Sequence, residues 1–354
     1  MGQGEGPFAI AEIRDGAVRR VSARAMPPAT EAAIVTDAPR AVAAPTPSVR
    51  SVPVVVAAHL PPDPEAPSVS RLLLAASASP WPGHVSITDE ATGAQVARLE
   101  RNAAIGELVV PLAAGPAALW DRANAVTMRL YSGHLAGDND LAVLAGANRI
   151  AVETDAGGWE VIAFAEAALL SPGEYRLTRL LRGQMGTSIA AAAAGRRVVI
   201  LDKRPMLAPV PAAWIGEAVP LRAYAGATDA TGVALVADLG VAAVLPLAPV
   251  HLRARRDQGT GDVALTWTRR SRADTDSWTP TDAPHDNLPE AYRITILDGA
   301  TAVRSIEVPA PVAVYSAAEQ AADFGDLPAG FGFTVAQVSP VYGPGHPAQG
   351  SFNA

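Results

Sequence analysis

Apolar and polar residues alternate with a period of two along much of this 354-residue chain. That is the spacing of strands with one covered face. HVSITDE (84–90), AVTMRLY (125–131), RRVVILD (196–202), DVALTWTRR (262–270) and AYRITILDG (291–299) predict strands of this kind. RLLLAAS (71–77), ELVVPLA (107–113) and ALVADLG (234–240) are more continuously apolar. They predict further strands. WEVIAFAEAALLSPGEYRLTRLLRG (159–183) predicts a strand, a second apolar segment, a Pro-Gly turn and a third strand. LAVLAGAN (141–148) is a short apolar segment before a turn, and the Ala-rich run 189–195 predicts one helical turn closed by Gly195.

The pattern divides the chain into four parts. Residues 1–26 hold two alternating segments around Asp15-Gly16, which predict a hairpin, the remnant of a preceding domain. Residues 27–69 are a Pro- and Ala-rich connector with one strand at 52–58. Residues 70–247 form a β-rich domain, and strands spaced over 248–354 predict a small β-sandwich. The fold class is therefore all-β and multidomain, built of sandwiches or barrel-like domains. The 30 Gly and 31 Pro fit short strands joined by many turns.

The segment YRLTRLLRGQMGT (175–187) raises the sharpest chemical question. It could be a phosphate cradle, a catalytic loop or a fold-building turn. Neither alternating face of its strand is purely polar, so both faces are expected to be covered, with Tyr175 and the arginines ending on polar partners. Gly183 and Gly186 bracket Gln184-Met185, a spacing that suits a turn with positive φ. Thr187 is placed to cap the Ala-rich run. A phosphate loop should open a longer amphipathic helix, and none follows. Tyr175, Arg182, Gly183, Gly186 and Thr187 are read as a structural turn motif.

Composition removes several chemistries. The chain contains no Cys, so disulfides and thiolate chemistry are excluded. Net charge is −7 and Lys203 is the sole lysine among 28 basic residues. No clustered basic surface for nucleic acid is visible. No apolar run reaches membrane-spanning length, and MGQGEGPFAI lacks the features of a signal peptide.

The remaining motifs are weak. His134 with Asp138 and Asp140, His285 with Asp282 and Asp286, and His346 lack metal-ligand spacing; they read as solvated loops, with a cation at Asp138/Asp140 left open. Glu107, Glu153, Glu160, Glu166 and Glu174 alternate with apolar residues, as on a solvated sheet face, and give no paired acids for glycoside hydrolysis. The sequence G-x-S-x-G is absent, as is a Walker A loop. Trp81, Trp120, Trp159, Trp214 and Trp278 could offer a carbohydrate platform, but packing is the commoner role.

The ordered segments SPWPGHVSI (79–87), LWDRANAVTMRL (119–130), LAGANRIAV (144–152), WEVIAFAEA (159–167), PGEYRLTRLLRGQMGT (172–187), PLAPVHLRARR (246–256) and VALTWTRRSR (263–272) resemble the C-terminal part of phage tail-tip proteins. The likeness is to the large host-interacting tail protein of gene transfer agents. It implies a non-enzymatic structural component of a tail tip, baseplate or fibre, made in the bacterial cytoplasm, released by lysis, and engaged in assembly and host attachment. The implied partners are other tail proteins, further copies of itself within the particle, and a host surface glycan or receptor. No cofactor is implied. Family members carry upstream hub-like and glycoside-hydrolase-like barrel domains; this chain shows neither, so their hydrolytic activity is not carried over. Residues 248–354 resemble fibronectin type III, with Trp267 and Tyr292 as core aromatics. The polar insertion 271–289 departs from that pattern and makes Asp274, Asp276 and Trp278 candidate surface contacts. The alternative readings are a carbohydrate-binding module and a cell-wall glycosidase.

Overall fold

The computed structural model describes residues 8–26, 51–62, 69–201, 206–273 and 283–353. The chain divides into two units, residues 1–49 and 50–354. In the first, β1 (Phe8–Arg14) and β2 (Arg20–Ala25) form an antiparallel hairpin. A five-residue connection replaces the two-residue Asp15-Gly16 turn expected from the sequence, and Gly16 does not need a positive φ.

The second unit begins with a sandwich split in sequence. Its first half is β3 (Val54–Leu60), β4 (Arg71–Ser77), β5 (Val85–Asp89) and β6 (Gln95–Leu99). The chain then leaves to build a barrel from β7 (Ile105–Leu108), β8 (Trp120–Asp121), β9 (Val126–Leu130), β10 (Arg149–Glu153), β11 (Trp159–Ser171), β12 (Glu174–Gln184) and β13 (Arg197–Ile200). It returns as β14 (Met206–Pro209), β15 (Ala218–Ala225) and β16 (Val233–Asp238). These complete the sandwich sheets β14-β4-β3 and β16-β15-β5-β6. The span 70–247 thus holds two β assemblies, and the strand of the 27–69 connector is β3, paired along its length with β4.

In the inserted barrel the order β11-β10-β13-β7-β9-β12 closes on itself through a β11–β12 pairing, giving six strands without a free edge. The short β8 adds to β12 at Leu180 and Leu181. Leu108, Val126, Met128, Ile150, Ile162, Phe164, Leu177 and Val198 fill the interior. Ala151, Val161 and Val199 alternate with these residues and pack outward against Val56, Ala58, Leu73 and Ala75 of the sandwich. On β4, Leu72, Leu74 and Ala76 point the other way, into the sandwich's own core with Val85, Ile87, Leu221 and Ala237. Two cores therefore share this strand, which is why RLLLAAS carries no polar face.

LAVLAGAN contributes a short helix, α1 (Asp140–Leu144), capped by Asn139, whose side chain accepts from the Ala142 amide. The Ala-rich run forms no helical turn. It is extended and bridges back through Ala192 to Leu112, because Ala192 and Leu112 both pack onto the barrel interior.

The remaining strands are β17 (Val250–Arg256), β18 (Val263–Thr268), β19 (Tyr292–Asp298), β20 (Thr301–Val308), β21 (Val312–Tyr315), β22 (Gly330–Ser339), β23 (Gly343–Pro344) and β24 (Ala348–Asn353). One sheet is β17-β18-β21; the other runs β20-β19-β22, with β23 and β24 both on β22. Trp267 and Tyr292 are buried between them, ring centroids 5.2 Å apart and edge-on. A helix, α2 (Ala317–Phe324), joins β21 to β22. Ser316 caps it by accepting from the Glu319 amide, and Glu319 reaches back to the Ser316 amide at 3.0 Å. Ser316→Ala is expected to remove about 1 kcal/mol of local stability. Faster hydrogen exchange at the first amides of α2 would report it; unchanged exchange would show that the cap contributes nothing.

Candidate functional site

The chemistry of YRLTRLLRGQMGT follows from which of its side chains enter the barrel. Tyr175 and Leu177 point inward, and so do Leu180 and Arg182. Two inward pairs separated by an even and then an odd step require a change of phase between them. It occurs at Arg179, a non-glycine residue with φ +54°. The ladder pairs Leu180 with Phe164 and Thr178 with Glu166 on either side of it. On the partner strand the Ala165 carbonyl turns away to accept from the Asp138 amide at 2.9 Å. Arg179 then faces outward, 2.6 Å from Asp140 and over the Trp120 ring. Asp140 is thereby committed to an arginine, and His134 bonds the Tyr175 hydroxyl at 3.0 Å. Among the described residues no group of three His, Asp or Glu converges for a metal ion.

Arg182 has no exposed side-chain surface. Its guanidinium donates to both carboxylate oxygens of Glu160, at 2.7 and 2.8 Å. It also donates to the carbonyls of Ala113 and Ala190 at 2.9 and 3.3 Å, and lies 3.4 Å from Asp121 Oδ2. Glu160 in turn accepts from the Gly183 amide at 3.0 Å, tying the turn to the cluster. Glu160 is therefore fully buried, contrary to the solvated sheet face expected for it. The reason is its phase: it sits two residues before Ile162 and four before Phe164, both inward. An acid in register with a core face was the legible signal; the arginine it meets is out of phase with Tyr175 and Leu177 and gives none. Burial opposes charge on Asp121, but the Asn124 side chain, the Asn124 and Ala123 amides and Arg182 outweigh it and hold its pKa below the usual carboxylate value. Gly115 packs directly on this pair: a Cβ there would lie 2.3 Å from Asp121 Oδ2 and 2.8 Å from Arg182 Nη1. With its donors and acceptors matched internally, the cluster is an anchor at the barrel end.

The turn beyond it is the seat of the C-terminal sandwich. Gly183, Met185 and Gly186 take φ of 59°, 58° and 74°. Thr187 caps no helix; its hydroxyl donates to the Gln184 carbonyl and accepts from the Val161 amide, both at 2.9 Å. Leu247 of the segment leading into β17 lies against the Gly186 α-carbon, where a Cβ would meet its Cδ2 at 2.2 Å. Arg272, just past β18, donates to the Met185 carbonyl at 2.7 Å and the Leu245 carbonyl at 3.1 Å. On the far side the His346 amide donates to the Pro246 carbonyl at 3.0 Å. The junction encloses a groove of about 770 Å³. Asp274, Asp276 and Trp278 lie outside the described residues.

A second buried polar contact secures the other side of the linker. His59 on β3 meets Ser70 Oγ through Nε2 at 2.7 Å and the Gly240 carbonyl through Nδ1 at 3.1 Å. A carbonyl only accepts, so Nδ1 carries the hydrogen and Nε2 accepts from Ser70. Burial, partly offset by the Gly240 contact and by Asp238, lowers the His59 pKa. The folded state thus disfavours protonation, and its stability is full above the unfolded value near about 6.5. Below that pH it is lost progressively as pH falls toward the lower folded value. His59→Gln is expected to flatten the fall in thermal midpoint between neutral and mildly acidic pH. An identical pH profile for the variant would remove His59 from the account.

The fold and these junctions define a modular all-β protein: a closed barrel inserted in a split sandwich, with a second sandwich clamped onto the barrel's terminal turn. Residues 103–199 match the family model described as Rcc01698-like, C-terminal. The matched span coincides with the inserted barrel, and the match supports a gene-transfer-agent-like protein. No curated protein matches the chain.

Proposed function

We propose that this chain is a structural, non-catalytic component of the tail tip of a gene-transfer-agent-like particle, contributing to assembly and to attachment at the host surface. The observation that carries the reading is the family match over the inserted barrel, residues 103–199. The architecture supports it. A barrel without free edges resists unwanted strand pairing, and Arg272 fastens the C-terminal sandwich to the barrel's turn. The C-terminal sandwich supports a fibronectin type III-like assignment through its three-strand and five-strand sheets and its Trp267–Tyr292 core. Further copies of the chain and other tail proteins are its proposed partners. Particles purified from cells producing a tagged chain test the reading. Gold labelling at one end of the tail is expected, and particles lacking the chain should adsorb poorly to recipient cells. Absence of the chain from purified particles would overturn it.

A further inference from the structure

We infer that the groove between the barrel's glycine turn and the C-terminal sandwich binds an anionic sugar, with Arg270 and Arg272 as the groups that receive its charge. The groove measures about 770 Å³, within the range of small-ligand sites, and it lies at a domain junction, where such sites concentrate. Its polarity is distinctive in a chain of net charge −7. Arg270, Arg272 and His346 line it, and no Asp or Glu does among the described residues.

The two arginines differ in role. Arg272 is half-buried, and its guanidinium hydrogen bonds go to carbonyl oxygens. The nearby Asp286 accepts instead from the Arg272 backbone amide and the Ser271 hydroxyl. Burial and the neighbouring Arg270 outweigh the attraction of Asp286 and lower the Arg272 pKa to about 10, so part of its charge is left uncompensated. An anion in the groove would supply the missing compensation. Arg270 is exposed and makes no ion pair among the described residues, so it is free to close on a ligand. The rest of the lining narrows the class. The Ser188 hydroxyl and the Gln184 amide line it beside the apolar Leu247. Among the described residues no Trp, Tyr or Phe lines the groove to stack a nucleobase. Hydroxyl-bonding groups, a small apolar wall and two guanidiniums fit a carboxylate-bearing sugar ring.

The inference supplies a ligand class for the attachment role, and it can be tested apart from that role. The purified full chain would be titrated calorimetrically with a glucuronic acid trisaccharide, a neutral glucose trisaccharide and inorganic phosphate. The uronate is expected to bind at least about tenfold more tightly than either. Arg270→Glu is expected to weaken uronate binding by about tenfold or more, as is raised salt. Arg270→Gln should give a smaller loss. Arg270 is exposed and makes no ion pair among the described residues, so thermal unfolding of both variants should match the parent. Undetectable uronate binding, or unchanged affinity in Arg270→Glu, would overturn the site. Phosphate binding as tight as the uronate would overturn the sugar assignment. A chain that binds uronate yet is missing from purified particles would fail the tail-tip reading alone.

Discussion

Truncating Arg182 to Ala is expected to destabilise the barrel by about 3–5 kcal/mol, the range for removing one partner of a buried ion pair. The loss arises less from the attraction forfeited than from what remains. Glu160 and Asp121, 1% and 0% exposed at their side chains, would stay in the interior without their shared cation. The Ala113 and Ala190 carbonyls would lose a donor as well. Chemical denaturation, with hydrogen exchange of the β11 and β12 amides to localise the change, would measure it. A shift below about 1 kcal/mol would show that water or a rearrangement replaces the guanidinium. Replacing all three charged residues together with apolar residues of similar volume should recover much of the loss. Acid should weaken the same cluster. Because the folded pKa of Asp121 is lowered, its contribution is full above the unfolded value near about 4 and is lost as pH falls through the folded one.

The second large effect is expected at Gly186. Gly186→Ala meets two independent penalties. Its φ of 74° costs a residue with a Cβ about 1–2 kcal/mol. The new Cβ also falls 2.2 Å from Leu247 Cδ2, an overpacking contact of the kind that costs about 1–3 kcal/mol. The two separate in a double-mutant cycle. In a Leu247→Ala background the steric part should disappear and the backbone part should remain. Equal cost of Gly186→Ala in both backgrounds would mean that Leu247 does not press on the turn. Undocking of the C-terminal sandwich should accompany the single variant, seen as increased protease cleavage near residues 245–248.

The contrast between Gly186 and Arg182 shows how far a one-dimensional reading reaches. Two glycines bracketing Gln184-Met185 imply positive φ because only glycine takes that region cheaply. That argument is local, and the turn has the conformation it requires. Arg182 and Glu160 lie 22 residues apart. Their pairing depends on the β11–β12 register and on a phase change at Arg179, which the alternation pattern conceals. The Ala-rich run shows the opposite failure. Its helical propensity is real but weak, and packing of Ala192 and Leu112 over the barrel interior overrides it.

Alternation alone establishes an all-β chain with a separate C-terminal sandwich region, and the missing cysteines exclude thiol chemistry, because both are properties of single residues and near neighbours. Tertiary structure decides the rest. It closes six strands into a barrel, inserts that barrel between β6 and β14, and lets β4 serve two cores. It also makes the glycine turn of YRLTRLLRGQMGT the seat for Leu247 and Arg272. Each of these depends on which distant strands pair and which side chains they bury together, and a sequence read along its length carries no distance between residues 160 and 182, or between 186 and 247.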